Sequence, residues 1–310
     1  MNEIVVGLDP MSTPDQVLDL ALDEAERTSA PVRVVRCVAP YPWAATNSMG
    51  YPLTPVIVPD LTELRRAAQE EVEAAVEKAL GRRLEPTAVA ITSEVLDGDP
   101  GRVLTDLSAN ASLTVVGGQH HGLVQRALLG STTTYVLHHA QGPVLVVPES
   151  TSGQAVTRVV VGLDGSEGSR AALVQAVAQA TALACPLLAV YVFNLSSGSV
   201  IGPWLDLPGY GETQRAGKEW LEQEVAREAP GIAVPIECKA IPGPAAKALL
   251  DEAGPTDLLV LGSRGRGGFA GLVLGSVATQ CATHARGTVL VLRPRTATEA
   301  AEPARGAPSR

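Results

Sequence analysis

The amino-acid sequence predicts an α/β protein built as two tandem, doubly wound domains of Rossmann-like type, each with a five-stranded parallel sheet. Three observations predict it. The first is an internal repeat. EIVVGLDP at Glu3 to Pro10 returns as RVVVGLDG at Arg158 to Gly165; LTVVGGQHHGLVQRALLGS, ending at Ser131, returns as LLVLGSRGRGGFAGLVLGS, ending at Ser276; GPVLVVP from Gly142 returns as GTVLVLRP from Gly287. Three matches in the same order mark one unit written twice. The second is alternation: short, near-continuous apolar runs are separated by helical patterns, as in βα units whose strands are covered on both faces. The third is composition. Hydrophobic residues make up 45% of 310 residues and aromatic residues only 3%. The cores must therefore be built from Val, Leu, Ile and Ala.

Taken in order, copy one reads as a strand at Ile4 to Leu8, a helix over about Pro14 to Thr28, and a strand at Val32 to Val38. A Pro/Tyr-rich loop runs from Ala39 to Pro59. Leu64, Ala68, Val72, Ala75 and Leu80 fall near helical spacing and predict a helix over Leu61 to Gly81. A third strand near Val89 to Val95, a helix at Gly101 to Asn110, a strand at Leu113 to Val116, a helix at Ser131 to Ala140 and a strand at Val144 to Val147 complete the unit. Copy two repeats the series, with its variable loop at Asn194 to Gly211. The domains are expected at 1–149 and 157–295, joined by a Ser/Thr/Gly-rich linker. The tail, 296–310, has no apolar period and is expected to be disordered. Right-handed crossovers would place helices on both faces of each sheet. Ligands of such sheets bind at the carboxyl ends of the strands, where strand order reverses.

The formal charge of −9, from 24 basic and 33 acidic residues, argues against a nucleic-acid or anionic-membrane binder. No apolar run approaches the roughly 20 residues of a membrane span. The chain opens directly on a strand pattern without a secretory leader, so a cytoplasmic protein is expected. Cys37, Cys185, Cys238 and Cys281 are scattered, with no Cys-x-x-Cys, and read as small hydrophobes. His120-His121 and His138-His139 are adjacent pairs that cannot share a helix face, and no metal site is expected.

Chemistry concentrates after the fourth strand of copy two. Gly262, Ser263, Arg264 and Gly265 are followed by nine residues and then by Gly275-Ser276, which opens a helix. Glycines let backbone N–H groups converge on an anion without Cβ clash. A helix N-terminus adds free N–H groups and a favourable dipole. Ser276 adds a hydroxyl, and Arg264 and Arg266 add positive charge.

That loop resembles the ATP-binding signature of the universal stress protein family. The family's strand-Asp feature is matched by Gly162-Leu163-Asp164-Gly165-Ser166, and its Gly-x-Pro helix opening by Gly98-Asp99-Pro100 in copy one. Copy two departs there, with Pro242-Gly243-Pro244. The resemblance covers roughly residues 1 to 295. It implies that Gly162 and Asp164 meet the adenosine end of ATP, Asp164 at the ribose, and that Val192 packs on adenine. Gly262, Ser263, Arg264, Gly265, Arg266, Gly267 and Gly268 would wrap the phosphates, with Gly275, Ser276 and Val277 completing the site. It also implies that the two copies dock as a pseudo-two-fold pair. Copy one is degenerate: His120 replaces the second glycine of the signature, Pro10 and Met11 replace Gly165-Ser166, and Cys37 stands where Val192 stands. A residue with a Cβ cannot always reach a glycine conformation. ATP binding there is left open, with Gly7, Asp9, Gly117, Arg126, Gly130 and Ser131 as the retained contacts.

The resemblance implies a stress-response protein that binds ATP, with Mg²⁺ arriving on the phosphates, and acts on an unidentified protein partner, as a single chain or a homo-oligomer. No catalytic residue is expected. The Gly-rich loops hold no Lys, so a P-loop enzyme is excluded, and no base stands beside Ser263 or Ser276. ATP turnover should be slow or absent, with a weak hydrolase or phosphotransferase as the enzymatic alternative. Gly265 to Ala270 formally fits the dinucleotide fingerprint but follows the wrong strand and lacks the downstream acid. A non-nucleotide scaffold is the other alternative, because Trp43, Tyr51, Trp204 and Tyr210 populate the long loops.

Overall fold

In the computed structural model, residues 3–9, 14–38, 60–118, 129–149, 155–193, 210–266 and 274–293 are described. Copy one runs β1 (Glu3–Gly7), α1 (Pro14–Thr28), β2 (Val32–Val38), α2 (Leu61–Gly81), β3 (Ile91–Asp97), α3 (Pro100–Ser108), β4 (Ala111–Gly118), α4 (Ser131–His139) and β5 (Val144–Pro148). Copy two runs β6 (Arg158–Leu163), α5 (Glu167–Ala182), β7 (Leu187–Phe193), α6 (Tyr210–Glu228), β8 (Ile236–Pro242), α7 (Ala245–Glu252), β9 (Asp257–Gly262), α8 (Ser276–His284) and β10 (Thr288–Leu292). The expected alternation holds throughout.

Local signals account for several boundaries. The Asp60 carboxylate caps α2 by accepting from Thr62 N at 2.9 Å. Asp99 caps α3 by accepting from Arg102 N at 3.0 Å, with Pro100 in the first turn, where its missing N–H costs nothing. Gly98 precedes that cap at φ +132°, and its counterpart Gly243 at φ +124°. Several bounds differ from the expectation by one or two residues, β4 among them at Ala111–Gly118 against the expected Leu113 to Val116. β3 lies two residues further along than Val89 to Val95, because its hydrogen-bonding register with β2 runs from Val32↔Ile91 to Val38↔Asp97. Partner backbone, and not the apolar run, sets the ends of this edge strand. The variable loop of copy two stops short of Gly211, since α6 begins at Tyr210.

The ten strands form one sheet in the order β3-β2-β1-β4-β5-β10-β9-β6-β7-β8. Within each half all pairs are parallel, and the order reverses between β1 and β4 and between β6 and β9. The halves join through one antiparallel pair, with Val289 opposite Val146, Leu290 opposite Leu145 and Val291 opposite Val144. The two copies therefore share one sheet across a pseudo-two-fold axis. Alternate side chains feed opposite faces: Ile4, Val6, Val159 and Val161 enter one core, and Val5 and Val160 the other. Both cores cross the seam. Leu145 and Leu290 share the first, and Val144, Val146, Val289 and Val291 the second.

Side chains also bridge the copies. Arg27 of α1 donates to Gln179 of α5 at 2.8 Å, and the Gln179 amide donates to both Glu24 oxygens at 3.2 Å. Arg293, after β10, donates to the Leu137 carbonyl of α4 at 2.6 Å.

Packing around the glycines predicts opposite outcomes for two alanine substitutions. A Cβ on Gly287 would overlap the Asp257 carbonyl and stand 2.6 Å from that of Gly254. Gly287→Ala should destabilise by about 1–3 kcal/mol. Gly81, at the end of α2, has nothing within 4 Å. Gly81→Ala should leave stability unchanged or raise it by up to about 1 kcal/mol. Urea denaturation of the two variants measures the difference.

Candidate functional site

The carboxyl ends of β6 and β9 meet at the switch point of copy two. Asp164 follows β6, and its carboxylate ties two chain segments together. Oδ1 accepts from Ser166 N at 3.0 Å, and Oδ2 accepts from Arg266 N at 2.8 Å. The second bond requires a glycine one residue earlier, since a Cβ on Gly265 would overlap Asp164 Oδ2. Gly262 is constrained in the same way. A Cβ there would stand 2.6 Å from the Gly168 carbonyl carbon and 2.7 Å from its oxygen, so α5 can approach β9 only at a glycine. Ser166 caps α5 by accepting from Ser169 N at 3.2 Å. The Ser263 carbonyl accepts from Gly275 N at 2.7 Å, and Ser263 N donates to Leu292 O at 2.7 Å. These bonds set the N-terminus of α8 beside the end of β9. Gly275 occupies the cap position and offers no side-chain cap bond to α8.

Electrostatics favour an anion. Burial pushes the Asp164 carboxyl up, but hydrogen bonds from Ser166, from the Arg266 amide and from Ser169 outweigh it and hold the group below its ordinary value. Asp164 is thus an anchored carboxylate. Its two backbone hydrogen bonds, from the Ser166 and Arg266 amides, hold it between the end of β6 and the loop after β9. Around it stand Arg264 and Arg266, both exposed, and Arg293. None of the three makes an ion pair with a described carboxylate, whereas Arg33, Arg65, Arg82, Arg83, Arg158 and Arg227 all do. The Arg293 guanidinium is depressed below its ordinary value by burial and by repulsion from Arg264.

The structure brings together Gly162, Asp164, Gly262, Ser263, Arg264, Gly265, Arg266, Gly275 and Ser276. Val192 is half-buried against the core on the α7/α8 face, one residue before the end of β7. Val277 is half-buried in the first turn of α8. Gly267 and Gly268 lie outside the described residues, as do Arg126, His120 and most of both long loops.

Copy one builds the same corner differently. Gly7, Asp9, Cys37, Pro100, Gly117 and Gly130 line a cavity of about 120 Å³. That is well below the roughly 300 Å³ at which ligand pockets begin. Gly130 caps α4, and the Gly117 carbonyl accepts from Thr133 Oγ1 at 2.6 Å. Ser131 is exposed at the head of α4. Arg36 stands 3.6 Å from Asp9 and 3.8 Å from Glu71. Its counterpart in copy two is Tyr191, whose ring packs on Trp220 at 4.9 Å. Asp9 thus neighbours a cation where Asp164 has a loop amide.

Sequence reasoning missed Arg36 and Arg293. Each had a signal. Arg36 stands where the repeat in copy two has Tyr191, and Arg293 where the repeat in copy one has Pro148. No group of three or more His, Cys, Asp or Glu able to hold a metal occurs among the described residues. None of the described helices is long and apolar enough to cross a membrane. Cys185 and Cys281 are buried, and Cys37 and Cys238 half-buried.

The fold is that of a tandem α/β protein whose two copies share one sheet and place related residues at each switch point. The chain belongs to the universal stress protein family, whose family model matches residues 1–148 and again 155–293. A universal stress protein of Mycolicibacterium smegmatis is 32% identical over 307 residues, covering 94% of this chain and 97% of its own. One from Mycobacterium tuberculosis is 32% identical over 308 residues, with 94% of each chain covered. Among solved structures, a universal stress protein from Archaeoglobus fulgidus superposes with a TM-score of 0.60 at 21% identity. It covers 95% of this chain and 98% of its own, a likeness of fold.

Two measurements follow from the titrating groups. A carboxylate held below its unfolded value, near 3.9, adds stability that is complete above that pH. The contribution is lost as pH falls through the folded value. Asp164→Asn should therefore lower stability at pH 7, and the gap from the native chain should narrow at pH 3. A gap of constant size in urea titrations would count against the anchored carboxylate. Burial pushes the Cys281 thiol up to about 12 and the Cys37 thiol up to about 11. At pH 8 both should resist a thiol reagent that labels an unhindered cysteine within minutes.

Proposed function

We propose that copy two binds ATP and that the protein serves a stress response through nucleotide-dependent contact with a protein partner. One observation carries this reading: an anchored carboxylate at the switch point faces a glycine loop ringed by guanidiniums without carboxylates. A carboxylate suits a ribose hydroxyl, and the loop, the α8 N-terminus and the guanidiniums suit a polyphosphate. The residues present fit the nucleotide. Asp164 and Gly162 would hold the ribose end and Val192 the base. Gly262 to Gly268, Gly275, Ser276 and Val277 would hold the phosphates. Any Mg²⁺ would be carried by the phosphates, since its habitual partners are phosphate and water.

Within this reading copy one is the weaker site. His120 replaces the second glycine of the signature, and Asp9 neighbours Arg36. ATP turnover is proposed to be slow or absent, because the loops supply no Lys and no base stands beside Ser263 or Ser276.

The test is mass spectrometry of nucleotide released from purified, denatured protein, with Gly265→Ala as the control. About one equivalent of ATP is expected from the native chain, and its loss in the control while far-UV circular dichroism shows the variant still folded. No nucleotide in the native chain, and none taken up from Mg-ATP, would sink the proposal.

A further inference from the structure

Trp220 lies outside every motif read from the sequence, yet it stands beside the copy-two loop. Gly165 has φ +79°, in the left-handed region that favours glycine. A Cβ there would overlap Arg266 Nη2 and would stand 3.0 Å from Arg266 Cζ and 3.2 Å from Trp220 Cζ2. The guanidinium and the indole therefore share the space that a side chain at 165 would take. Trp220 comes from α6 and packs on Tyr191 of β7, with ring centroids 4.9 Å apart. Gly217 lets α6 come this close, since a Cβ there would stand 3.0 Å from Tyr191 Cδ1.

This aromatic seat faces away from α8. Trp220 and Tyr191 pack against the core on the α5/α6 face, whereas Val192 and Ala278 of α8 belong to the opposite face. Val192 and the head of α8 are the parts proposed to meet the base and the phosphates. The Arg266 N–H is given to Asp164, and its guanidinium rests on Gly165. The repeat shows that the seat goes with the intact loop. Aligning the buried Ala68 and Val72 of α2 with the buried Gly217 and Leu221 of α6 puts Glu71 where Trp220 stands. Copy one then has Glu71, Arg36, Pro10 and His121 for Trp220, Tyr191, Gly165 and Arg266, so it lacks every member of the seat.

We propose that Trp220 is a positioning residue of the copy-two site. With Gly165 it seats the Arg266 guanidinium, and the Arg266 side chain anchors the loop to α6 instead of contacting phosphate. Through its own amide this anchor fixes Asp164. The inference rests on copy two being the nucleotide site, and it divides the work of the two loop arginines: Arg264 is left for the anion.

NMR titrations of the full chain with ATP and with adenosine separate an anchor from a phosphate contact. An anchor acts on the whole loop, so Arg266→Leu should weaken both ligands by the same factor, about tenfold. Trp220→Leu should match it, and the double variant should lose no more than either single one, since both act through one group. Trp220→Phe should stay within about threefold of the native affinity. Weakening of ATP alone by Arg266→Leu, or additive losses in the double variant, overturns the proposal. A native chain that binds neither ligand sinks the nucleotide reading instead, and the seat is then read directly. With Trp43→Phe and Trp204→Phe, Trp220 is the one indole left. Iodide is drawn to a cation beside an indole. The ratio of iodide to acrylamide quenching should therefore fall about twofold on adding Arg266→Leu. An unchanged ratio overturns the seat whether or not nucleotide binds.

Discussion

The antiparallel pairing of β5 with β10 is the contact on which the arrangement of the molecule depends. In an isolated doubly wound domain the fifth strand is an edge, with a row of unmet backbone donors and acceptors. Here each copy supplies the partner for the other's edge, and Val144, Leu145, Val146, Val289, Leu290 and Val291 are all buried as a result. Both cores then run through the seam, so neither copy has a hydrophobic core that ends at its own boundary. The pairing also fixes direction. Strands of one copy run opposite to those of the other, so the two switch points open toward opposite ends of the sheet.

Within copy two the decisive geometry is steric before it is electrostatic. Asp164 can reach the Arg266 amide because Gly265 has no side chain to obstruct it, and α5 can close on β9 because Gly262 has none. These absences draw the carboxylate, the loop amides and the head of α8 into one corner. Copy one retains the aspartate and the helix cap. It has a histidine at the second glycine and an arginine on the neighbouring strand. The two sites therefore differ through a few side chains on nearly the same backbone plan.

Much of this was legible in the sequence because it is local or repeated. α1 and α2 start and stop where apolar spacing and the Gly and Asp signals put them, and the repeat alone defined the two copies. What was not legible is non-local. β3 takes its bounds from the register with β2, so its own apolar run misplaced it by two residues. The pairing of β5 with β10 carries no mark in either strand, since both read simply as buried. For the site, Gly262, Gly265 and Gly275 could be named from spacing, and Asp164 from the family resemblance. The link between Asp164 and the Arg266 amide could not, because it joins residues 102 positions apart. Arg36 and Arg293 were visible as departures between the repeats, but their meaning required their neighbours.

Arg293 shows how the seam and the site meet. It leaves β10 at the carboxyl end of copy two, close enough to Arg264 to feel its charge, and its guanidinium reaches across to the Leu137 carbonyl in the last turn of α4. A cation at a helix C-terminus is favourable for both partners. Antiparallel pairing makes this contact possible, since it sets the foot of α4 against the carboxyl end of β10. In copy one the corresponding residue is Pro148, which has no such reach. This particular contact is therefore one-sided: copy two donates it to α4, and copy one has no residue to return it.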